Sequence, residues 1–395
     1  MTRIVRHTLA LAAGQYVARA VLLARGLAAA AALGPVGAGA WNALSLILDY
    51  GGYASAGALQ GLELELPGAV TRDPAAARRA MRGAWAIVVA GALAFGVGIA
   101  LWLASGARAL ESTWGAGAPA LMLIAAWLQL VVGYLQTSLK AQGDFARVSF
   151  STALQALVGG GLGLALVWRL GVWALLGGWL AGSLAAIAIL IRSPHRVSLS
   201  PGSPREGLRL ARLGLPVFGF FVVSLILRSL DRMAFVRYVG LASLGAYSLG
   251  LLAAGLVLYL PEAAAAVLYP RIAAAASGDR DALRTRDEVV RAQRTLAVFL
   301  PLAVGLSVLW IGPVIGWLLP AFAAGVPAMR AIVLGALALS AGTLPGYWLL
   351  ARGQAPRLLV GSAGVLVLTA GLIFAVAAST ADPMRVALAS AGGYA

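Results

Sequence analysis

The chain has 395 residues, of which 61% are hydrophobic and only 11% are charged. Soluble globular domains carry about 25% charged residues, so the composition excludes an ordinary soluble domain. Cysteine is absent, which also excludes disulfides and thiolate metal sites. Apolar runs of roughly 20 residues recur along most of the chain, and each is long enough to cross a bilayer as a helix. We therefore predict an all-α polytopic membrane protein.

These apolar runs predict about 11–12 transmembrane helices in two pseudo-symmetric six-helix bundles around a central cavity. The segment from Met384 to Ala395 resembles the start of a twelfth helix, which we expect to be incomplete. The other predicted spans are residues 9–33, 40–61, 84–104, 118–138, 148–168, 171–191, 213–236, 239–262, 296–318, 327–350 and 356–378.

Basic residues are distributed unequally over the loops between these spans. Most of the arginines, and the single lysine Lys140, fall in loops on the same side as the N-terminus. Short cytoplasmic loops of membrane proteins are enriched in Lys and Arg, so the pattern predicts a cytoplasmic N-terminus. The opposite side receives only Arg108, Arg169, Arg237, Arg330 and Arg385.

The first predicted helix carries two arginines in its apolar stretch. Arg19 lies about 15 Å from the inner end of the helix, near the middle of the bilayer, and Gln15 shares its stripe. Arg25 follows six residues later. Charges inside a bilayer are costly and usually face a partner or a water-filled cavity. Because guanidinium binds phosphate bidentately, we expect these three side chains to contribute to a binding site for an anionic group.

The second predicted helix contains Asp49, at about the depth of Arg25 in the first. Two interpretations remain open. Arg25 and Asp49 form a structural ion pair, or Asp49 takes part in ligand binding, either by tuning the arginines or by coupling a cation.

The longest polar segment of the first two-thirds of the chain covers residues 192–212 and is rich in Pro, Ser and Arg. It is typical of a cytoplasmic connection between domains. We predict an N-terminal six-helix bundle at residues 1–198, a cytoplasmic linker at 199–212 and a C-terminal bundle at 213–395.

The start of the second bundle repeats the start of the chain. A shift of 206 residues aligns Gly240 and Gly245 with Gly34 and Gly39, and in both places an apolar helix with charges ends at a glycine-rich break. Before the second break, charges at spacings i, i+3 and i+4 share one helical face. We interpret Arg228 as a candidate substrate ligand, and Asp231 and Arg232 as a structural ion pair near the outer interface.

Motifs for covalent chemistry are missing from the sequence. The only lysine follows a leucine, so no phosphate-binding Gly-Lys loop exists. His7 and His195 have no Cys or His neighbours with ligand spacing. The pair Asp279 and Asp281 is typical of a solvated turn, because two carboxylates rarely specify an ion site. We predict no enzyme activity, no cofactor and no metal site.

Several short motifs along the chain have a familiar order. They are Leu33-Gly34-Pro35-Val36-Gly37, Glu65-Leu66-Pro67, Arg228-Ser229-Leu230-Asp231-Arg232, Val239-Gly240, Gly245-Ala246-Tyr247, Leu260-Pro261-Glu262, Tyr269-Pro270-Arg271, Leu319-Pro320-Ala321-Phe322 and Leu344-Pro345-Gly346. With these motifs the sequence resembles the polysaccharide (O-antigen and exopolysaccharide) flippases of the multidrug/oligosaccharidyl-lipid/polysaccharide exporter superfamily.

The resemblance implies two six-helix lobes that work by alternating access. It implies that an undecaprenyl-diphosphate-linked oligosaccharide is flipped outward across the bacterial inner membrane for O-antigen (lipopolysaccharide) or exopolysaccharide biosynthesis. Membrane lipids and the glycan polymerase machinery would be the other partners, and nucleic acid would not be one. Arg19, Arg25 and Arg228 would then hold the diphosphate.

Three alternatives remain. A cation-coupled multidrug exporter of the same superfamily would favour carboxylates over arginines in its cavity. The arginines of the first helix also resemble those of the lipid II flippase branch, although this chain is shorter than members of that branch. A membrane-bound glycan polymerase or ligase is the third alternative. Such enzymes resemble one another in carrying a large outer loop, which the predicted topology lacks.

Overall fold

The computed structural model describes residues 2–104, 114–115, 117–195, 197–275 and 279–394, and side chains from Arg19 onward except at 266–267, 269–271, 273–275 and 279–285. Within these ranges the chain forms thirteen α-helices and no strands. They are α1 (Thr2–Gly51), α2 (Ala58–Arg72), α3 (Pro74–Ala104), α4 (Gly117–Ala141), α5 (Phe145–Leu170), α6 (Val172–Ile191), α7 (Pro204–Leu227), α8 (Leu230–Ala234), α9 (Leu241–Ala275), α10 (Asp279–Leu318), α11 (Val326–Ala351), α12 (Ala355–Thr380) and α13 (Pro383–Gly393).

Ten segments of the described chain are long and apolar enough to cross a membrane. The first of them covers most of α1, which the sequence predicted as two spans. Gly34 separates the two parts, because its φ of 66° and ψ of −179° are not helical. Only glycine adopts this region readily, and Pro35 then starts the next helical segment. The short α13 lies where an incomplete twelfth helix was predicted.

The predicted span at 40–61 is interrupted, which the hydropathy pattern did not indicate. α1 ends at Gly51, a turn follows at residues 52–57, and α2 begins at Ala58. Gly57 has a φ of 89° and Ala56 a φ of 47°, so the backbone leaves the helical conformation at both residues. The turn packs closely against α3 because Gly91 has no side chain. A Cβ atom at Gly91 would overlap the carbonyl oxygen of Ala54.

The described chain divides into two compact units, one containing residues 1–33 and 43–219 and the other residues 34–42 and 220–395. The first unit extends beyond the predicted bundle because α7 begins within the predicted linker, at Pro204. Leu210 of α7 is fully buried, and a Cβ atom at Gly61 of α2 would overlap its carbonyl oxygen. This segment is therefore amphipathic and packs on the first unit, although its arginines gave it the composition of a linker.

Glycines also bring α5 and α6 together in the first unit. Gly159 and Gly163 of α5 and Gly178 and Gly182 of α6 each show the spacing GxxxG. A Cβ atom at Gly178 would lie 2.5 Å from the carbonyl oxygen of Gly159. Small residues at this spacing allow membrane helices to pack with their backbones in contact. Beside this contact, Gln155 donates hydrogen bonds to Gln129 (2.8 Å) and Ser183 (3.1 Å).

The second unit contains a close contact between the two repeated glycine positions. A Cβ atom at Gly39 would overlap the carbonyl oxygen of Leu241, and one at Gly245 would overlap that of Pro35. The shift of 206 residues that aligns Gly39 with Gly245 also aligns Pro35 with Leu241. The contact is therefore reciprocal, as expected where equivalent parts of a repeat meet about a local two-fold axis.

Candidate functional site

Arg25 lies half-buried in α1, in contact with two other helices of the first unit. Its guanidinium carbon lies 5.6 Å from the ring centroid of Trp179 in α6. A Cβ atom at Gly163 of α5 would lie 2.9 Å from Cδ of Arg25, so the glycine leaves space for the arginine side chain. A cation over an aromatic ring is stabilised by the ring quadrupole. Glycine and tryptophan together orient a positive charge inside a membrane-spanning helix.

Arg19 lies about one and two-thirds turns earlier on the same helix, and its side chain is exposed. Gln15, which the sequence placed on the same stripe, has a helical backbone, but its side chain lies outside the described residues. The ligand roles of both remain predictions.

Asp49 is half-buried and lies close to the end of α1, three residues before the turn at 52–57. The turn brings Tyr53 against Phe218 of α7, with ring centroids 6.3 Å apart. Asp49 therefore lies beside a helix break in the membrane region of the first unit. The sequence interpretation placed it inside an uninterrupted helix, and it missed the break because glycines within an apolar run hardly change the hydropathy.

Arg228 has a carboxylate partner that the sequence interpretation did not identify. Its Nη1 donates a hydrogen bond of 2.8 Å to Oε1 of Glu262 on α9. The side chains are 40% and 38% exposed, respectively. The sequence interpretation offered only Asp231 as a carboxylate next to the arginines of this segment. Glu262 is the single acidic residue of α9. A lone carboxylate in an apolar helix requires a partner, so the sequence did contain a signal for this ion pair.

Asp231 lies in a fully buried polar cluster next to Arg232, and its structural pairing with that arginine stays a prediction. Its side chain accepts hydrogen bonds from the Tyr247 hydroxyl (2.6 Å) and from the backbone N–H of Arg232 (2.7 Å). Phe235 stacks on the Tyr247 ring, with centroids 4.5 Å apart and an interplanar angle of 14°. These contacts connect α8 to α9, and they leave Asp231 inaccessible to a ligand that does not disturb the packing.

A second arginine–carboxylate cluster lies in the first unit, where α2 and α7 meet. Arg209 binds Glu65 with two hydrogen bonds, from Nη1 to Oε2 (2.6 Å) and from Nη2 to Oε1. It also donates to Glu206, with a distance of 3.0 Å from Nε to Oε2. Glu65 belongs to a motif noted in the sequence. The bidentate geometry indicates a strong connection between α2 and α7.

The family described as "Polysaccharide biosynthesis protein" matches residues 77–319, which is more than half of the chain. The chain belongs to this family. No curated protein matches the sequence significantly. Within the described residues, no three His, Asp or Glu side chains form a group that could hold a metal ion.

Solved transporter structures share the fold of this polysaccharide biosynthesis family member. An inward-facing multidrug resistance MATE family transporter of the MOP superfamily has a TM-score of 0.70 and 18% identity, covering 95% of this chain and 91% of its own. The MATE transporter ClbM in complex with Rb+ has a TM-score of 0.64 and 15% identity, covering 98% and 91%. A MOP superfamily transporter from Pyrococcus furiosus, described as having a binding pocket of reversed polarity, has a TM-score of 0.63 and 18% identity, covering 99% and 92%.

Two predictions from the sequence are confirmed by these findings. The resemblance to the polysaccharide flippases agrees with the family match and with the MOP superfamily fold. The prediction of an all-α polytopic membrane protein agrees with the helices and the candidate spans. At identities of 15% to 18%, the solved structures support the fold of this family member and leave its substrate open.

Proposed function

We propose that this member of the polysaccharide biosynthesis family is a flippase for an oligosaccharide linked to a lipid by a diphosphate. The substrate would be carried outward across the bacterial inner membrane for cell-surface polysaccharide synthesis. The observation that carries the proposal is the presence of arginines within, or directly next to, apolar membrane helices. Arg25 in the first unit and Arg228 in the second both keep part of the side chain accessible. The family match to polysaccharide biosynthesis supports a saccharide as part of the substrate.

Guanidinium groups suit this task because a diphosphate presents several charged oxygens in a compact arrangement. Arginine remains charged inside the membrane and can form two parallel hydrogen bonds to a phosphate group. We infer that Arg19, Arg25 and Arg228 bind the diphosphate in the course of transport, with Gln15 and Asp49 as neighbouring polar groups. The lipid tail stays in the bilayer while the head group crosses, so no covalent step is needed.

We also propose that the N-terminus of this flippase is cytoplasmic. The unequal distribution of arginines over the loops supports this orientation. Single cysteines introduced at Arg196 and Arg284 of the cysteine-free chain should be protected from membrane-impermeant thiol reagents in intact cells. Labelling at either position from outside would reverse the assignment.

Complementation of a strain that lacks its own polysaccharide flippase tests the proposed function. The wild-type chain should restore surface glycan, and Arg19→Ala and Arg25→Ala should each reduce it severely at normal protein levels. Arg385→Ala removes an arginine that is 65% exposed in α13 and serves as the matched control. Full export by both variants would contradict the role of the arginines. Drug resistance that requires Asp49 and neither arginine would instead indicate a drug exporter.

A further inference from the structure

We propose that Glu262 is an exchangeable counter-ion of Arg228. The diphosphate of the substrate displaces Glu262 from Arg228, and Glu262 then helps to release the diphosphate after translocation. The inference rests on the proposed function and adds a residue that sets how tightly the substrate is held. Glu262 would act on transport through Arg228, as a positioning residue, without binding the saccharide itself.

The side chains of Arg228 and Glu262 are both accessible, as an exchange of partners requires. Arg228 and Glu262 are 40% and 38% exposed, although each lies in or beside a helix of membrane-spanning length. Charged groups exposed to lipid tails are strongly disfavoured, so accessible charges in such helices are expected to face water. An anion that enters from the same water can reach the guanidinium group of Arg228.

The hydrogen bonding of the Arg228–Glu262 pair is weaker than that of the Arg209–Glu65 pair. Arg228 and Glu262 are joined by a single hydrogen bond, from Nη1 to Oε1. Arg209 and Glu65, by contrast, are joined by two, and Glu206 adds further bonds to the same arginine. A bidentate pair is stronger and more specific in geometry than a monodentate one. The Arg228 pair is therefore the one suited to exchange, and the Arg209 pair is suited to permanent connection.

The backbone around Arg228 is held in place independently of the ion pair. Arg228 follows the last residue of α7, Leu227, and precedes α8, which begins at Leu230. The backbone itself is fixed, since the N–H groups of Arg228 and Ser229 donate to the carbonyl oxygens of Ser224 and Ile226. Only the side chain of Arg228 needs to move for the exchange, so the change of partner requires no unfolding of the turn.

Charge balance explains why such a counter-ion is useful. Without Glu262, an empty binding site would leave the positive charge of Arg228 uncompensated in a membrane protein, which is costly. A diphosphate carries more negative charge than one carboxylate and can engage two N–H groups, so it can replace Glu262. After translocation, the carboxylate competes for Arg228 and weakens the hold on the diphosphate. Asp231 is unsuited to this role because it is fully buried and bonded to Tyr247.

Binding of farnesyl diphosphate to the full chain in nanodiscs tests the proposal, measured by isothermal titration calorimetry. Farnesyl monophosphate and farnesol show how much of the affinity comes from the diphosphate. The variants are Glu262→Gln, Arg228→Gln and the double variant, with Glu65→Gln as the matched control. That control removes the same charge from an arginine pair whose carboxylate side chain is 27% exposed.

We expect Glu262→Gln to bind farnesyl diphosphate at least tenfold more tightly than wild type, because the competing charge is removed. Translocation of a lipid diphosphate by the same variant in proteoliposomes should become slower, since release is impaired. Arg228→Gln should weaken binding, the double variant should match it, and Glu65→Gln should leave the affinity unchanged.

Two results would overturn the inference and are distinguishable. Weaker or unchanged binding by Glu262→Gln, with Arg228→Gln weakened, would show that Glu262 does not compete with the diphosphate for Arg228, and the proposed function would stand. Equal binding of farnesyl diphosphate and farnesol by the wild-type chain would overturn the proposed function together with this inference.

Discussion

The two helices related by the internal repeat differ in the charge that they carry at the same position. The shift of 206 residues that aligns Gly34 with Gly240 also aligns Arg25 with Asp231. Arg25 is half-buried over Trp179, whereas Asp231 is fully buried beneath Tyr247. The backbone break is shared by both copies, but the charged site is not. Glycine at the break thus defines the repeat, while the neighbours of each charge decide whether it is accessible to a ligand.

Accessibility separates the charges into two groups with different expected roles. Arg25 and Arg228 keep part of their surface accessible and are candidates for substrate binding. Asp231 is bonded on several sides and serves the packing of α8 on α9. The comparison therefore predicts that substitutions at Asp231 reduce stability, whereas substitutions at the two arginines reduce transport.

The largest effect is expected at the shared glycine contact of the repeat. Gly39→Val and Gly245→Val place a side chain where a backbone carbonyl oxygen already lies. We expect each to cost about 4 kcal/mol or more, because backbone on both sides must move. The measurement is thermal unfolding followed by tryptophan fluorescence. Gly255→Ala in α9, where nothing lies within 4 Å, is the control and should unfold at the wild-type temperature or above. Unchanged unfolding of both valine variants would contradict the reciprocal contact.

The next largest effect is a difference in the free energy of unfolding between variants of Asp231 and of Arg25. Asp231→Ala leaves the Tyr247 hydroxyl and the N–H of Arg232 without an acceptor, at a cost of about 3 kcal/mol. Arg25→Ala loses the contact with Trp179 and should cost about 1 kcal/mol. Both are measured by unfolding in detergent, with transport assayed in parallel. An Arg25 variant that unfolds as early as the Asp231 variant would remove the distinction between the two sites.

A smaller effect tests whether the two breaks are equivalent. Gly34 and Gly240 have φ values of 66° and 111°, with open space around the position of a Cβ atom. Alanine at either position is therefore strained by backbone conformation alone, by about 1–3 kcal/mol. Equal losses of unfolding temperature would support equivalent breaks. A loss at one position only would show that the repeat does not extend to the backbone conformation there.

Sequence patterns predicted the features that depend on local residues. Gly34 followed by Pro35 marked the first break, and the repeat located the second at Gly240. The ion pair of Arg228 with Glu262 was missed, because the partners are brought together by the packing of two helices. The turn at residues 52–57 and the early start of α7 were missed for a related reason. Hydropathy and composition measure the solvent preference of a segment, whereas both features depend on glycine contacts between helices.

The smallest effect concerns helix caps of the two units. Oδ1 of Asp73 accepts from the N–H of Ala75 (2.8 Å) before α3, and Asp382 caps α13 in the same way through Met384 (2.9 Å). The backbone N–H groups of Ala76 and Ala75 lower the pKa of the Asp73 carboxyl. A lowered pKa stabilises the fold above about pH 4, and this contribution is lost as the pH falls through the folded-state value. Asp73→Ala should therefore lower the unfolding temperature slightly at pH 7 and less at pH 3. An equal effect at both values would contradict the cap.

The central claim is that guanidinium groups in the membrane bind a diphosphate, and a transport measurement with lysine variants tests it most directly. The rate of translocation of a fluorescent undecaprenyl-diphosphate disaccharide is measured in proteoliposomes that contain the full chain. Lysine keeps the charge of arginine but cannot form the bidentate contact. We predict that Arg25→Lys and Arg228→Lys each slow translocation about tenfold or more, the equivalent of roughly 1.4 kcal/mol. Arg237→Lys, at an exposed arginine, should retain the wild-type rate. Full translocation by an Arg25→Ala, Arg228→Ala double variant would contradict the account.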